Sequence, residues 1–162
     1  MIAFLGLGSN LNDRLLNINQ AINAISCDSK NQVLNISNFY ESEPMYNTSL
    51  NKFINAVIQI RTSYDPIDLL YMIKDLEELM GRKHNNERYS NRPIDIDILC
   101  CGKTVIKSKE LTVPHPHIKE RKFVLKPWCD IDSSYIITTE NRKIKELLEE
   151  TPDTSSLKII NT

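Results

Sequence analysis

Apolar residues run without a break over residues 2–7 and stop at Gly8-Ser9-Asn10, the mark of a buried strand entering a turn. The spacing then changes: Leu15, Ile18, Ile22 and Ile25 share one helical face, with Asn12 or Asp13 available as a cap. Residues 33–40 and 53–61 alternate as strands, the second with Ile54, Ala56, Ile58 and Ile60 on one face. The clearest helix opens at Asp65-Pro66, carries Leu69, Leu70, Ile73, Leu76 and Met80 as its apolar stripe, and stops at Gly81. Residues 94–101 read as a fourth strand, after which Gly102-Lys103 turns the chain toward Thr104-Val105-Ile106. A short helix is expected near residues 123–130 and a charged helix near 142–150, ahead of a frayed end.

The order is β-α-β-β-α-β plus extensions. That predicts an α+β (α/β sandwich) protein with a ferredoxin-like βαββαβ core: an antiparallel sheet, helices packed on it and C-terminal additions. No internal repeat or low-complexity linker divides the chain, so residues 1–162 are expected to form a single domain. Many functions use this plan, and the chemistry must come from particular residues.

Composition narrows the classes. The 162 residues are 41% hydrophobic and 25% charged, which excludes collagen-like, disulfide-scaffold and disordered chains. No stretch approaches the roughly 20 apolar residues of a membrane span. A formal net charge of −1 gives no broad attraction for nucleic acid or anionic lipid, so any anion site must be built locally. Cys27, Cys100, Cys101 and Cys129 have neither zinc nor redox spacing and read as free thiols of a reducing compartment. The first residues lack the basic region of a signal peptide. A cytoplasmic protein is expected, and a monomer, because no heptad or large apolar stripe stands out.

Three clusters carry chemistry. In Arg92-Pro93-Ile94-Asp95-Ile96-Asp97-Ile98-Leu99, isoleucine takes every second position and would be buried on one strand face. Asp95 and Asp97 then project together from the other, about 7 Å apart. Like charges on one face repel and need a cation, and two carboxylates at this spacing suit divalent ions at a phosphoryl-transfer site. The plain alternative is a solvated face of an edge strand. Upstream, residues 82–92 contain almost nothing able to anchor a core and carry Arg82, Lys83, Arg88 and Arg92, a locally basic loop suited to phosphate oxygens or merely solvated. The third cluster, Leu111-Thr112-Val113-Pro114-His115-Pro116-His117, sets His115 in a stiff turn before Lys119, Arg121 and Lys122. A structural hydrogen-bonding role suits that histidine better than metal ligation.

Together, Gly8-Ser9-Asn10, the 92–99 segment and Leu111-Thr112-Val113-Pro114-His115 followed by Arg121 resemble the 6-hydroxymethyl-7,8-dihydropterin pyrophosphokinase family of folate synthesis, over about residues 2–132. The resemblance implies transfer of pyrophosphate from ATP, as co-substrate with two magnesium ions, to the pterin hydroxymethyl group, releasing AMP. It implies magnesium ligation by Asp95 and Asp97, and catalytic roles for Arg82, Arg92 and Asp97. The ATP site would comprise Leu70, Glu77, Arg82, Arg88, Arg92, Ile98, Thr112, His115 and Arg121. The pterin site would comprise Ser42, Pro44, Met45, Phe53, Asn55, Tyr89, Asp95 and Phe123. Phe53 and Phe123 can sandwich a flat ring while Asn55 reads its polar edge. Segments 43–52 and 82–91 are expected to act as lids.

This chain departs from the family where Tyr89 replaces a tryptophan, His84 an arginine, and Phe53 and Pro116 tyrosines. Those changes bear on affinity and loop timing more than on reaction type. Two rivals share the fold plan. An RNA-binding module would want basic and aromatic side chains where Asp95 and Asp97 stand. A ligand-sensing module would not turn ATP into AMP.

Overall fold

The computed structural model describes residues 1–45, 49–82 and 90–161. Strand β1 (Ile2–Ser9) leads into helix α1 (Arg14–Cys27), where Asp13 is the cap and its side chain accepts from the Leu16 amide at 3.0 Å. The strand expected over 33–40 is two strands, β2 (Asn31–Ile36) and β3 (Phe39–Ser42). The break falls at Ser37, whose hydroxyl accepts from the Val57 amide and whose own amide donates to the Val57 carbonyl, so the turn is bonded across to the neighbouring strand. That neighbour is β4 (Phe53–Thr62), which pairs with both.

Helix α2 (Pro66–Leu79) begins as expected: the Asp65 carboxylate accepts from the amides of Ile67 and Asp68, and proline occupies the first turn. It ends at Gly81, whose φ of 87° is open to glycine at little cost. Strand β5 (Asp95–Cys101) closes the core unit. The sheet order β3-β4-β1-β5, antiparallel throughout, is the ferredoxin-like arrangement.

After β5 come β6 (Ile106–Lys107) and β7 (Thr112–Val113), a small hairpin apart from the main sheet, then helix α3 (Lys122–Asp132). Strands β8 (Ile136–Ile137) and β9 (Arg142–Lys143) pair before helix α4 (Ile144–Glu150). The expected frayed end is instead ordered in part: β10 (Leu157–Ile160) pairs antiparallel with β3, opposite residues 39–42.

The sheet separates two cores. Ile18, Ile22 and Ile25 of α1 with Leu69 and Ile73 of α2 cover Ile54, Ile58, Ile60, Ile96 and Ile98 on one face. On the other, Trp128 of α3 packs on Phe4 with ring centroids 4.7 Å apart, and Val57, Leu99 and α4 residues Ile144 and Leu147 complete the cluster. Alternation along β5 obeys the isoleucine pattern up to Ile98. There the register shifts opposite Phe4 and Leu5, so consecutive Leu99 and Cys100 both enter the second core.

Candidate active site

The α3 face of the sheet is closed at one end by aromatic packing and open at the other. Two glycines make the opening. Gly8 lies opposite Asn55 on one side and Asp95 on the other, and Gly6 lies opposite Val57 and Asp97. Neither puts a side chain onto this face, so the middle strand forms a bare floor between the polar ends of β4 and β5. A Cβ on Gly8 would sit 3.4 Å from Asn55 Oδ1 and 3.6 Å from the Phe53 ring. The cavity above opens to solvent at its mouth and has the mixed apolar and polar lining of a small-molecule site.

One wall is acidic and densely paired. Arg82 Nη1 lies 2.6 Å from Asp95 Oδ1 and also pairs with the Glu77 carboxylate. Arg92 Nη2 lies 3.0 Å from the other Asp95 oxygen. Arg121 Nη1 donates to Asp97 Oδ2 at 2.9 Å, and His115 Nε2 is 4.0 Å from the same oxygen. The three arginines and His115 arrive from different places: the end of α2 (Arg82), the approach to β5 (Arg92), the turn after β7 (His115) and the start of α3 (Arg121). Burial, followed by the Arg121 charge, lowers the His115 pKa to about 4, so its imidazole is neutral at ordinary pH. Glu77 is 4% exposed, and burial pushes its carboxyl up to about 7 despite the opposing charge of Arg82. Its Oε1 accepts the Ile96 amide at 2.7 Å, satisfying an edge-strand donor between the two aspartates.

The opposite wall is flat and apolar. The Phe53 ring lies 5.8 Å from the Arg92 guanidinium carbon, and Phe123 stands at the same distance from that of Arg121. Asn55, 5% exposed, donates through Nδ2 to Ser42 Oγ at 2.9 Å and more weakly to the Tyr40 carbonyl at 3.4 Å. That fixes its amide with Oδ1 toward Gly8 and the cavity. Two donors in this region, Arg92 Nε and Arg121 Nε, are buried without a hydrogen-bond partner, as groups that a ligand oxygen completes would be.

The structure therefore brings together Ser42, Pro44, Met45, Phe53, Asn55, Arg92, Asp95, Asp97, Arg121 and Phe123 around one cavity. Arg82, Glu77 and His115 stand behind the acidic wall, bonded to it or close against it. Leu70, Ile98 and Thr112 are not among the lining residues, and the Ile98 side chain belongs to the α1/α2 core. Arg88, Tyr89 and His84, with residues 46–48 of the other expected lid, lie outside the described residues. Arg82 and Arg92 are not solvated loop cations, since their carboxylate partners hold them partly buried. Sequence reasoning did not assign Gly6, Leu7, Ala56 and Val124 of the lining to the site, and it reached Leu50, Asn51 and Asn91 only as members of the expected lid segments. The alternating Leu5-Gly6-Leu7-Gly8 was the available signal for the floor.

Among the described residues no three His, Cys, Asp or Glu side chains group as a metal cluster. The donor set is two carboxylates on one strand face, which matches the way magnesium is held by one or two carboxylates together with substrate phosphates. Paired carboxylates amid arginines, beside a slot walled by aromatic rings, define a class: enzymes that handle phosphates next to a flat organic ring.

Comparison with known proteins narrows the class. The family model described as 7,8-dihydro-6-hydroxymethylpterin-pyrophosphokinase (HPPK) matches residues 4–133. The chain is 32% identical over 157 residues to a 2-amino-4-hydroxy-6-hydroxymethyldihydropteridine pyrophosphokinase of Haemophilus influenzae, covering 97% of each. It is 41% identical over 127 residues to a folate synthesis bifunctional protein of Arabidopsis thaliana, covering 78% of this chain but 26% of that protein. It spans 20% of the length of the Pneumocystis carinii folic acid synthesis protein fol1. In architecture it is similar to a Plasmodium falciparum HPPK-DHPS solved with pteroate, with TM-score 0.75 and 17% identity over 92% of this chain and 44% of that one. The chain belongs to the 7,8-dihydro-6-hydroxymethylpterin-pyrophosphokinase family of enzymes.

Proposed function

We propose that the chain transfers the pyrophosphoryl group of ATP to the hydroxymethyl oxygen of 6-hydroxymethyl-7,8-dihydropterin, releasing AMP. The observation that carries this reading is the single cavity in which Asp95 and Asp97, each paired with arginine, face Phe53, Phe123 and the oriented amide of Asn55. The flat pterin stacks between Phe53 and Phe123 while Asn55 and Ser42 read its polar edge, and Pro44 and Met45 border it. Asp95 and Asp97 would hold two magnesium ions, which neutralise phosphate charge when bound with ATP. Glu77, His115, Thr112, Leu70 and Ile98 belong to the nucleotide side on this reading, and Arg88 is assigned to ATP and Tyr89 to the pterin.

Catalysis by this chain is positional and electrostatic. The acceptor hydroxyl attacks the β-phosphorus in line, and the bond to the α-phosphate oxygen breaks to release AMP. Arg82, Arg92 and Arg121 set fixed positive charge around the position where the phosphate charge redistributes. The neutral His115 imidazole, close to the Asp97 carboxylate, can donate to a phosphate oxygen without adding charge.

The chain works as a single-domain cytoplasmic monomer on this reading. Among the described residues no helix is long and apolar enough to cross a membrane. The test is incubation with ATP, magnesium and the reduced hydroxymethylpterin. Pterin-dependent AMP is the expected product, and ADP or no turnover overturns the assignment.

A further inference from the structure

Gly8-Ser9-Asn10 ends β1 beside the cavity, yet nothing in the proposed chemistry uses Asn10. It is 1% exposed, and its side chain is aimed at protein rather than at the ligand space. The Arg92 amide donates to Asn10 Oδ1 at 2.7 Å, and the Asn10 amide donates to the Arg92 carbonyl at 3.2 Å. Asn10 Nδ2 donates to Asn91 Oδ1 at 2.7 Å, and that oxygen also accepts the Asn51 amide at 3.2 Å. Asn51 Nδ2 closes the ring on the Asn10 carbonyl at 3.2 Å. Three asparagines from three segments, after β1, before β4 and before β5, thus form one interlocked clasp.

The bonding is orientation-specific. Asn91 must present its oxygen to two donors at once. Rotating any of these amides by half a turn sets donor against donor or acceptor against acceptor. The clasp also sits where its position matters. It grips the backbone of Arg92, whose guanidinium spans Asp95 at 3.0 Å and the Phe53 ring at 5.8 Å. Asn51 lies two residues before Phe53 and next to Leu50 of the cavity wall.

We propose that Asn10, through Asn51 and Asn91, is the positioning residue that fixes Arg92 between the carboxylate wall and the aromatic wall, so that phosphate and acceptor are held in one frame. Asn10 touches neither substrate. It acts through Arg92, and its contribution should vanish when the Arg92 side chain is absent. The inference rests on the pyrophosphokinase reading and is tested separately from it.

The experiment is a double-mutant cycle on AMP formation with Asn10→Ala and Arg92→Ala, alone and combined, with amide hydrogen exchange at Arg92 measured on the same proteins. Losing these hydrogen bonds should lower kcat by about 10- to 100-fold in the parent background, on the scale of one or two buried bonds. In the Arg92→Ala background the same change should cost little further, and Arg92 amide exchange should accelerate in Asn10→Ala. Equal losses in both backgrounds would show a general structural role and overturn the clasp. Should Asn10→Ala not fold, Asn91→Ala at the exposed end of the ring is judged by the same two criteria. A parent protein that makes no AMP overturns the pyrophosphokinase reading instead, and the clasp then stands or falls on the exchange at Arg92.

Discussion

The backbone amide of Ile96 donates to the carboxylate of Glu77 at 2.7 Å, bonding the strand that presents Asp95 and Asp97 to a helix on the opposite face of the sheet. A carboxylate buried to this degree is costly when charged, and its pKa is raised to about 7 because burial outweighs Arg82. Glu77 is therefore both a brace for the acidic strand and a local liability at neutral pH.

The sign of that liability gives a stability prediction. Between the ordinary carboxyl value of about 4.5 and the folded value of about 7, the native state binds the proton that the unfolded state has lost. Stability from this group is complete below pH 4.5 and is lost as pH rises toward 7. Glu77→Gln removes the titration. Its unfolding free energy, relative to the parent, should rise across that window by on the order of 1–3 kcal/mol, as urea titrations at several pH values would measure. A difference that stays flat with pH would refute the assignment.

Asp95→Asn and Asp97→Asn should each nearly abolish AMP formation. The fold should persist without magnesium, since asparagine keeps the volume and Arg82 retains Glu77 as a partner. The shift in melting temperature produced by magnesium with a non-hydrolysable ATP analogue should shrink, as follows for a ligand that binds only the native state. Near-normal turnover in both variants would exclude these carboxylates from the chemistry.

Asn55→Ala should weaken pterin binding by about 1–3 kcal/mol while leaving affinity for the ATP analogue close to the parent's, because an oriented amide loses its ligand bonds. Calorimetry with each ligand separates this from a folding defect, which would lower both. The Ser42 contact makes the prediction specific: Ser42→Ala should reproduce part of the loss by freeing the Asn55 amide to rotate.

Gly8→Ala tests the bare floor. The new methyl would meet Asn55 Oδ1 at 3.4 Å and the Phe53 ring at 3.6 Å, contacts that the backbone accommodates without a positive φ. Melting temperature should stay near the parent's while pterin affinity falls, because the methyl occupies space that a ring would use. Equal affinity would move the ring away from this floor.

The chain's own pattern determined the ferredoxin-like order, both capped helices and the acidic strand, because each rests on local periodicity: 3.6 for Leu69 to Met80, 2 for Ile94 to Ile98. The same pattern placed Asp95 and Asp97 on one face, and the family resemblance named most of the residues that meet at the cavity. What tertiary structure decided depends on partners far apart in sequence. Strand register set Gly8 between Asn55 and Asp95. Packing brought Arg121 to Asp97 and Glu77 to Ile96 across 24 and 19 residues. Arg82 and Arg92 became partly buried partners of carboxylates, and 157–160 became a strand only because β3 offered an unpaired edge. Hydrogen bonds between Asn10, Asn51 and Asn91 join positions 40, 41 and 81 residues apart and leave no period in the sequence, so only the folded chain, which forces their amides within reach, can display them.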